Sequence, residues 1–457
     1  MRAIELDARR FRGRIQGDVI GAGDPGYDTA RRVWNGTVDR RPLLIVRAAG
    51  TPDVVETIAL AVREDLPLAV RGGGHSLPGF STCDGGVVLD LSAMREVSVD
   101  SEARIARAGG GCRWSDFDLA THRHGLASTG GLISSTGVGG LTLGGGIGWL
   151  TRAAGLACDN LVGAEVVTAA GEVLEVGPSD HPDLFWALRG GGGNFGVVTR
   201  FDFRLHPVDL VTGGLYIYPL ERAAELGALY RCEAGTWPDR MTTMLAFITA
   251  PAEAVPDSMA GTPAVAVVVC DCGDPDVAEA DLRPFNELRP MATVVDRMPY
   301  PSLQSMFDAE MPAGDRYHFR GGFLDSCSES VIGISVEHMN RRPSPRSEID
   351  LHHMGGAAGR IAADATAFPD RRSAFAYNVL GVWVGSAGDA DNREWARSLA
   401  AEFDSLGAST GYVNFMTDQA EGVVAAAYGQ TIYARLIEVK RRYDPQNVFK
   451  LNQNIRP

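Results

Sequence analysis

Short apolar runs broken by glycine dominate the first two hundred residues. Pro42 to Arg47 and Pro67 to Arg71 read as buried strands. Between them Thr51-Pro52-Asp53 is a helix start, with Thr51 as N-cap and Pro52 at the first helical position, and Val54 to Arg63 forms the helix body. This predicts a β-α-β unit. Residues 1–40 read as a helical lead-in, with Tyr27 to Trp34 spaced as an amphipathic helix. Further strands are predicted over Val87 to Leu91 and Val197 to Leu205, and helices over Trp114 to His122 and Asp183 to Leu188. Ala164 to Ala169 and Val173 to Val176 flank Ala170-Gly171-Glu172 in a hairpin pattern.

The texture changes near residue 207. Strand-like runs (Leu215 to Tyr218, Met244 to Ile248, Val265 to Cys270, Ile332 to His338, Phe375 to Val384) alternate with helix-like runs (Glu221 to Tyr230, Asp276 to Leu288, Asp391 to Ser405). That mixture predicts an α+β unit on an antiparallel sheet. A last helix is expected over Tyr428 to Arg442, stopped by Asp444-Pro445. Three parts follow: 1–208, a central 209–405, and a C-terminal 406–457.

Composition narrows the classes. A length of 457 residues and 45% hydrophobic content suit a multidomain globular protein. The net charge of −14, without a basic run, argues against nucleic acid or an anionic membrane surface as partner. No apolar stretch approaches the roughly 18 residues of a membrane span, and no signal peptide is visible, so a cytoplasmic location is expected. Arginine supplies nearly all the positive charge, with lysine only at 440 and 450, a bias that suits a GC-rich bacterial genome. Seven cysteines, an odd number in a large chain, argue against a disulfide framework. Cys270 and Cys272 form the one close pair, with no second pair at zinc-ligand spacing, so no metal site is expected.

Glycine changes the picture most. Its 55 residues exceed the ~7% typical of proteins. They cluster at 72–74, 109–111, 130–131, 137–148 and 190–196, as though the backbone wrapped something flat or anionic. Residues 191–196 match G-x-G-x-x-G formally, but a helix precedes and a strand follows, the reverse of a dinucleotide fingerprint. No lysine follows a glycine loop, so there is no P-loop. The informative stretch is Arg71-Gly72-Gly73-Gly74-His75-Ser76, a strand leaving into bare amides that end at one imidazole. By itself such a histidine is more often a turn residue than a functional one.

In order and spacing, that loop, Ser128-Thr129-Gly130-Gly131, Thr136 to Trp149, Cys158 to Leu161, Gly193 to Val198, Tyr412 to Phe415 and Asn452 to Ile455 resemble the berberine bridge enzyme-like branch of the vanillyl-alcohol oxidase flavoproteins. The resemblance implies an α+β chain. A two-part FAD-binding domain of the PCMH/VAO type, built from the N-terminal segment and the C-terminal tail, holds a central α+β substrate domain on an antiparallel sheet. It implies FAD held by Arg71, Gly72, Gly73, Gly74, His75, Ser76, Gly79, Phe80, Thr129, Gly130, Thr136, Gly137, Gly140, Gly145, Gly146, Asn160, Val198, Asn414 and Asn452, with His75 joined to the flavin 8α-methyl group. Ile133 stands where many relatives carry a second, cysteinyl attachment, so one covalent bond is expected, at His75 alone. Phe415 replaces a tyrosine that is catalytic in several relatives and cannot take a proton. The catalytic positions the resemblance leaves are Tyr412, more often structural in relatives, and Asn378, on a strand that shows no carboxylate where some relatives place a Glu. The general base is therefore open. His352 and His353, on the strand-like Ile349 to Met354, are further candidates, one facing inward and one outward.

The implied activity is that of an oxidase. Hydride passes from a small alcohol, amine or natural product of secondary metabolism to covalent FAD, and O2 as acceptor gives H2O2. The alternatives are a flavin-dependent oxygenase, a dehydrogenase using another acceptor, and a flavin-binding protein without turnover.

Overall fold

The computed structural model describes residues 11–417 and 421–457. Val-, Leu- and Ala-rich runs build a four-stranded sheet in the order Asp18–Gly21, Leu44–Arg47, Val87–Asp90, Leu68–Arg71. The last three are parallel and the first pairs antiparallel at the edge. Val87–Asp90 is buried at every position, as a central parallel strand covered on both faces should be. The predicted β-α-β unit is present, with Val87–Asp90 lying between its two strands. Its helix, Thr51–Arg63, is capped by Gly50 rather than Thr51. Thr51 is already helical, and the buried Asp53 carboxylate accepts from the amides of Gln16, Gly17 and Ala49.

A five-stranded antiparallel sheet follows: Val97–Asp100, Ile105–Gly109, Val197–Arg204, Leu161–Val167, Val173–Val176. Its aromatic core (Trp114, Phe117, Phe201, Phe203) also receives Leu436 and Val439 of the C-terminal helix Glu421–Tyr443. Beyond that helix, Phe449 packs under the four-stranded sheet. The two ends of the chain thus share one structure.

The central part forms an eight-stranded sheet in the order Ala292–Pro299, Leu210–Pro219, Pro263–Asp271, Met241–Thr249, Glu348–His353, Phe375–Trp383, Arg316–Leu324, Ser409–Thr410. Period-two alternation divides its side chains. Leu245, Phe247, Val265, Val267, Ile349, Leu351, Tyr377 and Val379 face the helices Ala223–Glu233, Glu329–Asn340 and Asp389–Ser405. The opposite set faces the glycine-rich part.

Two expectations need correction. Ile332 to His338, read as a strand, lies inside the helix Glu329–Asn340. Its β-branched residues mimic a strand, but Ser328 Oγ caps the start by accepting from Val331 N, and Val331, Ile332, Ser335, His338 and Met339 bury one helical face. In the lead-in, helix covers residues 11–12 and Tyr27–Ala30, and Asp18–Gly21 is a strand; residues 1–10 lie outside the described residues. Among the described residues no helix is long and apolar enough to cross a membrane.

Candidate active site

Arg71 ends the strand Leu68–Arg71 and is buried. Its guanidinium bonds Asp90 Oδ2 at 3.0 Å on the neighbouring strand and Arg32 O at 3.2 Å. That fixes where the glycine loop begins. Gly74 has a φ of +76°, which glycine adopts without strain, and its carbonyl accepts from Trp34 N at 3.1 Å. Gly73 meets Gly137 so closely that a Cβ on Gly73 would lie 2.3 Å from Gly137 N. The 72–76 loop and the 136–140 loop therefore touch through bare backbone, and only glycine permits it.

Above this junction opens a cavity of about 790 Å³ that runs on to the eight-stranded sheet. Its walls include Gly72, Gly73, Gly74, His75, Ser76 and Phe80 from the first loop and Thr136, Gly137 and Gly140 from the second. Val198, Asn414, Asn452 and Asn378 line it from other segments. The imidazole of His75 is stacked on Trp34 (centroids 4.7 Å apart, planes at 18°), and Trp34 is stacked on Tyr317 at 3.6 Å. Its Nε2 lies 3.0 Å from Ser135 Oγ and its Nδ1 3.5 Å from Thr136 Oγ1. Burial, with the charge of Arg113 nearby, holds its pKa down to about 3, so the ring is neutral at physiological pH.

The remaining expected cofactor residues build the frame and do not line the cavity. Arg71 is turned to Asp90. Gly79 packs on Val38 and its carbonyl accepts from Arg40. Thr129 donates to Gly155 O at 2.7 Å, and Gly130 is pressed against Gln304 and Trp114. Gly145 and Gly146, both at positive φ, are closed in by Phe368 and Ala157. Asn160 is held by Ala154 O, Leu156 O and His206 Nε2. Tyr412 also lies off the cavity. Its hydroxyl accepts from Gly146 N at 2.8 Å, Ile147 N at 3.3 Å and Asn414 Nδ2 at 2.9 Å, and burial raises its pKa to about 12.

The sheet supplies two groups that the sequence pattern did not single out. Glu348, Asp350 and His352 share one face of Glu348–His353, and the first two line the cavity. Asp350 sits in register with Asn378 on one side and Ala246 on the other. Asp350 Oδ1 and Asn378 Oδ1 are buried without a partner. Burial raises the Asp350 pKa to about 7. Burial, then the charge of Asp350, pushes Glu348 well above the usual carboxylate range. His352 packs on Phe415 just outside the cavity, its pKa lowered to about 4 by burial. His353 faces the helix side, with Arg152 at 3.3 Å and Trp237 edge-on. Both histidines are buried, so neither points to solvent. The missed signal was the Glu-Ile-Asp-Leu-His alternation, polar at every second position of a strand otherwise apolar.

Leu215, Ile217, Met244, Val268 and Phe307 form an apolar stretch of the wall, with Glu253, Glu310 and Arg346 also bordering the cavity. These residues fit FAD. A Cβ on Gly140 or Gly193 would project into open space of the cleft, so bare backbone lines a channel. Asn452 Oδ1 is a buried acceptor without a partner. One imidazole borders the channel beside the apolar chamber. Among the described residues no group of three or more His, Cys, Asp or Glu could hold a metal ion.

Comparison with known proteins gives the same outline. Residues 42–177 match the FAD binding domain family and 411–456 the berberine and berberine-like family. The chain is 33% identical to (R)-6-hydroxynicotine oxidase of Paenarthrobacter nicotinovorans, over 97% of each chain. The crystal structure of 6-hydroxy-D-nicotine oxidase from Arthrobacter nicotinovorans superposes with a TM-score of 0.87 at 30% identity, over 97% of this chain and 98% of that one. Glucooligosaccharide oxidase of Acremonium strictum, which carries a 6-S-cysteinyl, 8α-N1-histidyl FAD, shares the fold with a TM-score of 0.85 at 22% identity, over 96% and 97%.

Proposed function

The chain belongs to the berberine bridge enzyme-like FAD-linked oxidoreductases, and from that premise we propose that it oxidises a small, largely apolar amine or alcohol of secondary metabolism, using FAD tethered through His75 alone, with O2 as acceptor. One observation carries this reading: a single cavity joins the His75 loop to the paired carboxyls Glu348 and Asp350. FAD, when bound, accepts the hydride from substrate and passes two electrons to O2, giving H2O2.

The chain's own residues account for the remaining steps. The aliphatic wall binds the carbon skeleton and excludes water. A sugar would leave several hydroxyls unpaired against Leu215, Ile217 and Met244, which disfavours carbohydrate. Asp350, with its raised pKa, is ionised in part near neutrality and takes the proton from the substrate nitrogen or oxygen. Glu348 stays protonated beside it and keeps the pair at one negative charge. Asn378, opposite Asp350, holds the substrate heteroatom through its free amide oxygen. Tyr412 acts indirectly, by fixing the Gly145-Gly146 turn. Ile133, in the place of a second attachment residue, supports a single tether. For the division into 1–208, 209–405 and 406–457, the separation of the sheets along the chain supports the boundary near 208, whereas Ser409–Thr410 of the last part still pairs with the central sheet.

Mixing the purified yellow protein anaerobically with a panel of apolar amines, alcohols and oligosaccharides tests this. Bleaching of the flavin band by an amine or alcohol, then recovery with H2O2 release in air, is expected. Bleaching by oligosaccharides alone, or by nothing in the panel, would overturn it.

A further inference from the structure

We propose that Ser135 is the positioning residue for flavin attachment: by engaging Nε2 of His75 it leaves Nδ1 as the nitrogen that bonds to the cofactor. The inference rests on the His75 tether proposed above and goes beyond it, since that reading assigns no role to Ser135.

Three observations carry it. First, the two nitrogens differ in surroundings. Nε2 meets Ser135 Oγ at 3.0 Å, a good hydrogen-bond distance, whereas Nδ1 is 3.5 Å from Thr136 Oγ1, at the outer limit. Second, Thr136 lines the cavity and Ser135 does not. The weakly held nitrogen is therefore on the ligand side and the firmly held one is on the protein side. Third, the stack on Trp34, itself backed by Tyr317 and held by its Nε1–H donating to Met311 O at 3.0 Å, fixes the ring plane and leaves rotation within that plane as the main freedom. A single hydrogen bond at the ring edge then decides which nitrogen faces the cleft. With Ser135 Oγ accepting from Nε2–H, the Nδ1 lone pair is free. Burial of the ring keeps it unprotonated and nucleophilic.

A bond forms between Nδ1 and the 8α carbon of FAD, and one C–H bond of that methyl group breaks, its proton going to solvent. The electron pair stays on the flavin, which is thereby reduced by two electrons. The alkylated ring sheds its Nε2 proton past Ser135. O2 takes the two electrons and two protons and leaves as H2O2, restoring oxidised flavin. Ser135 itself forms no covalent bond. It aligns the ring and passes the departing proton.

The test uses full-length protein expressed with its flavin. Ser135→Thr and Ser135→Val have nearly the same shape and differ by one hydroxyl, so a structural effect moves both alike. Total flavin is read by absorbance of the native protein, and covalent flavin by in-gel fluorescence and intact mass after denaturation. The attachment nitrogen is read by chromatography of the released histidyl-flavin against both synthetic isomers. Expected is a wild type labelled through Nδ1, Thr labelled like wild type, and Val retaining native flavin but labelled about tenfold more slowly, the worth of one hydrogen bond. Equal labelling of Thr and Val, whether full or absent, overturns the role of Ser135, as does Nε2 attachment in the wild type. A wild type with no covalent flavin, or a His75→Ala variant that keeps it, overturns the tether itself.

Discussion

At the scale of single residues, Asp350 and Glu348 are the groups on which the proposed chemistry falls. Asp350 must be unprotonated to receive a proton, and its pKa is raised to about 7. On the proposed mechanism, activity is therefore expected to be lost as pH falls through neutrality and present above it. The groups around it (Glu348, Asn378 and, at Glu348, Glu310 and Arg346) leave the sign unchanged, because burial dominates the shift. The rate of anaerobic flavin reduction, measured from pH 5 to 9, is expected to rise along an acid limb in wild type. Asp350→Asn is expected to lower it about 10²- to 10⁴-fold and remove the limb. Tyr412→Phe makes the opposite prediction. Removing an oxygen that serves two buried amides costs about 1–3 kcal/mol, lowering Tm and loosening flavin while the limb survives. A vanished limb in that variant would return Tyr412 to the reaction. His75 was legible in the sequence because everything that marks it lies within six consecutive residues. Asp350 was not, because its meaning comes from which sheet face meets the cavity, and no short window of sequence contains that.

At the scale of elements, the C-terminal helix is held by a buried ion pair. Lys440 Nζ reaches Asp444 Oδ2 at 2.6 Å, Asn194 O at 2.8 Å and Phe449 O at 3.0 Å, and both side chains are fully buried. All three ammonium donors have partners, and Asp444 also accepts from Val448 N and Phe449 N. Lys440→Met leaves a buried carboxylate without its cation and should cost about 3–5 kcal/mol. Thermal melts should show it, with Asp444→Asn in the same background recovering part of the loss. The pair was not anticipated, although Lys440 and Asp444 stand four apart. The helix itself was legible because its apolar positions repeat at helical spacing. By contrast Glu329–Asn340 was misread, since valine and isoleucine favour strands on their own and only the buried face of the folded sheet overrides them. The loop-strand-loop order of the glycine-rich part came through because turns are written locally in glycine.

At the scale of the whole molecule, the glycine-rich part and the part built on the eight-stranded sheet are joined by polar contacts that no pattern could foretell. Asn35 Nδ2 bonds both Leu77 O and Tyr317 O, and Gln304 Nε2 bonds the buried Asp118 at 3.0 Å. Burial raises the Asp118 pKa to about 7, opposed by that one hydrogen bond. An acid whose folded pKa lies above its unfolded value keeps its proton longer when folded. Stability therefore falls as pH rises from about 4 to 7, by up to about 1.4 kcal/mol per pH unit, then levels off. Asp118→Asn should abolish that slope and melt higher than wild type at pH 8, while matching it near pH 4. Parallel melting curves across that range decide the matter.

The column His75, Trp34, Tyr317 ties these scales together. Tyr317 belongs to the strand Arg316–Leu324, whose neighbour carries Asn378. Anything that shifts that strand on filling the chamber leans on the indole and, through it, on His75, the proposed anchor of the chromophore. Occupancy should consequently be visible as a change of colour before any turnover, and a tight-binding inhibitor could be found by eye in a titration.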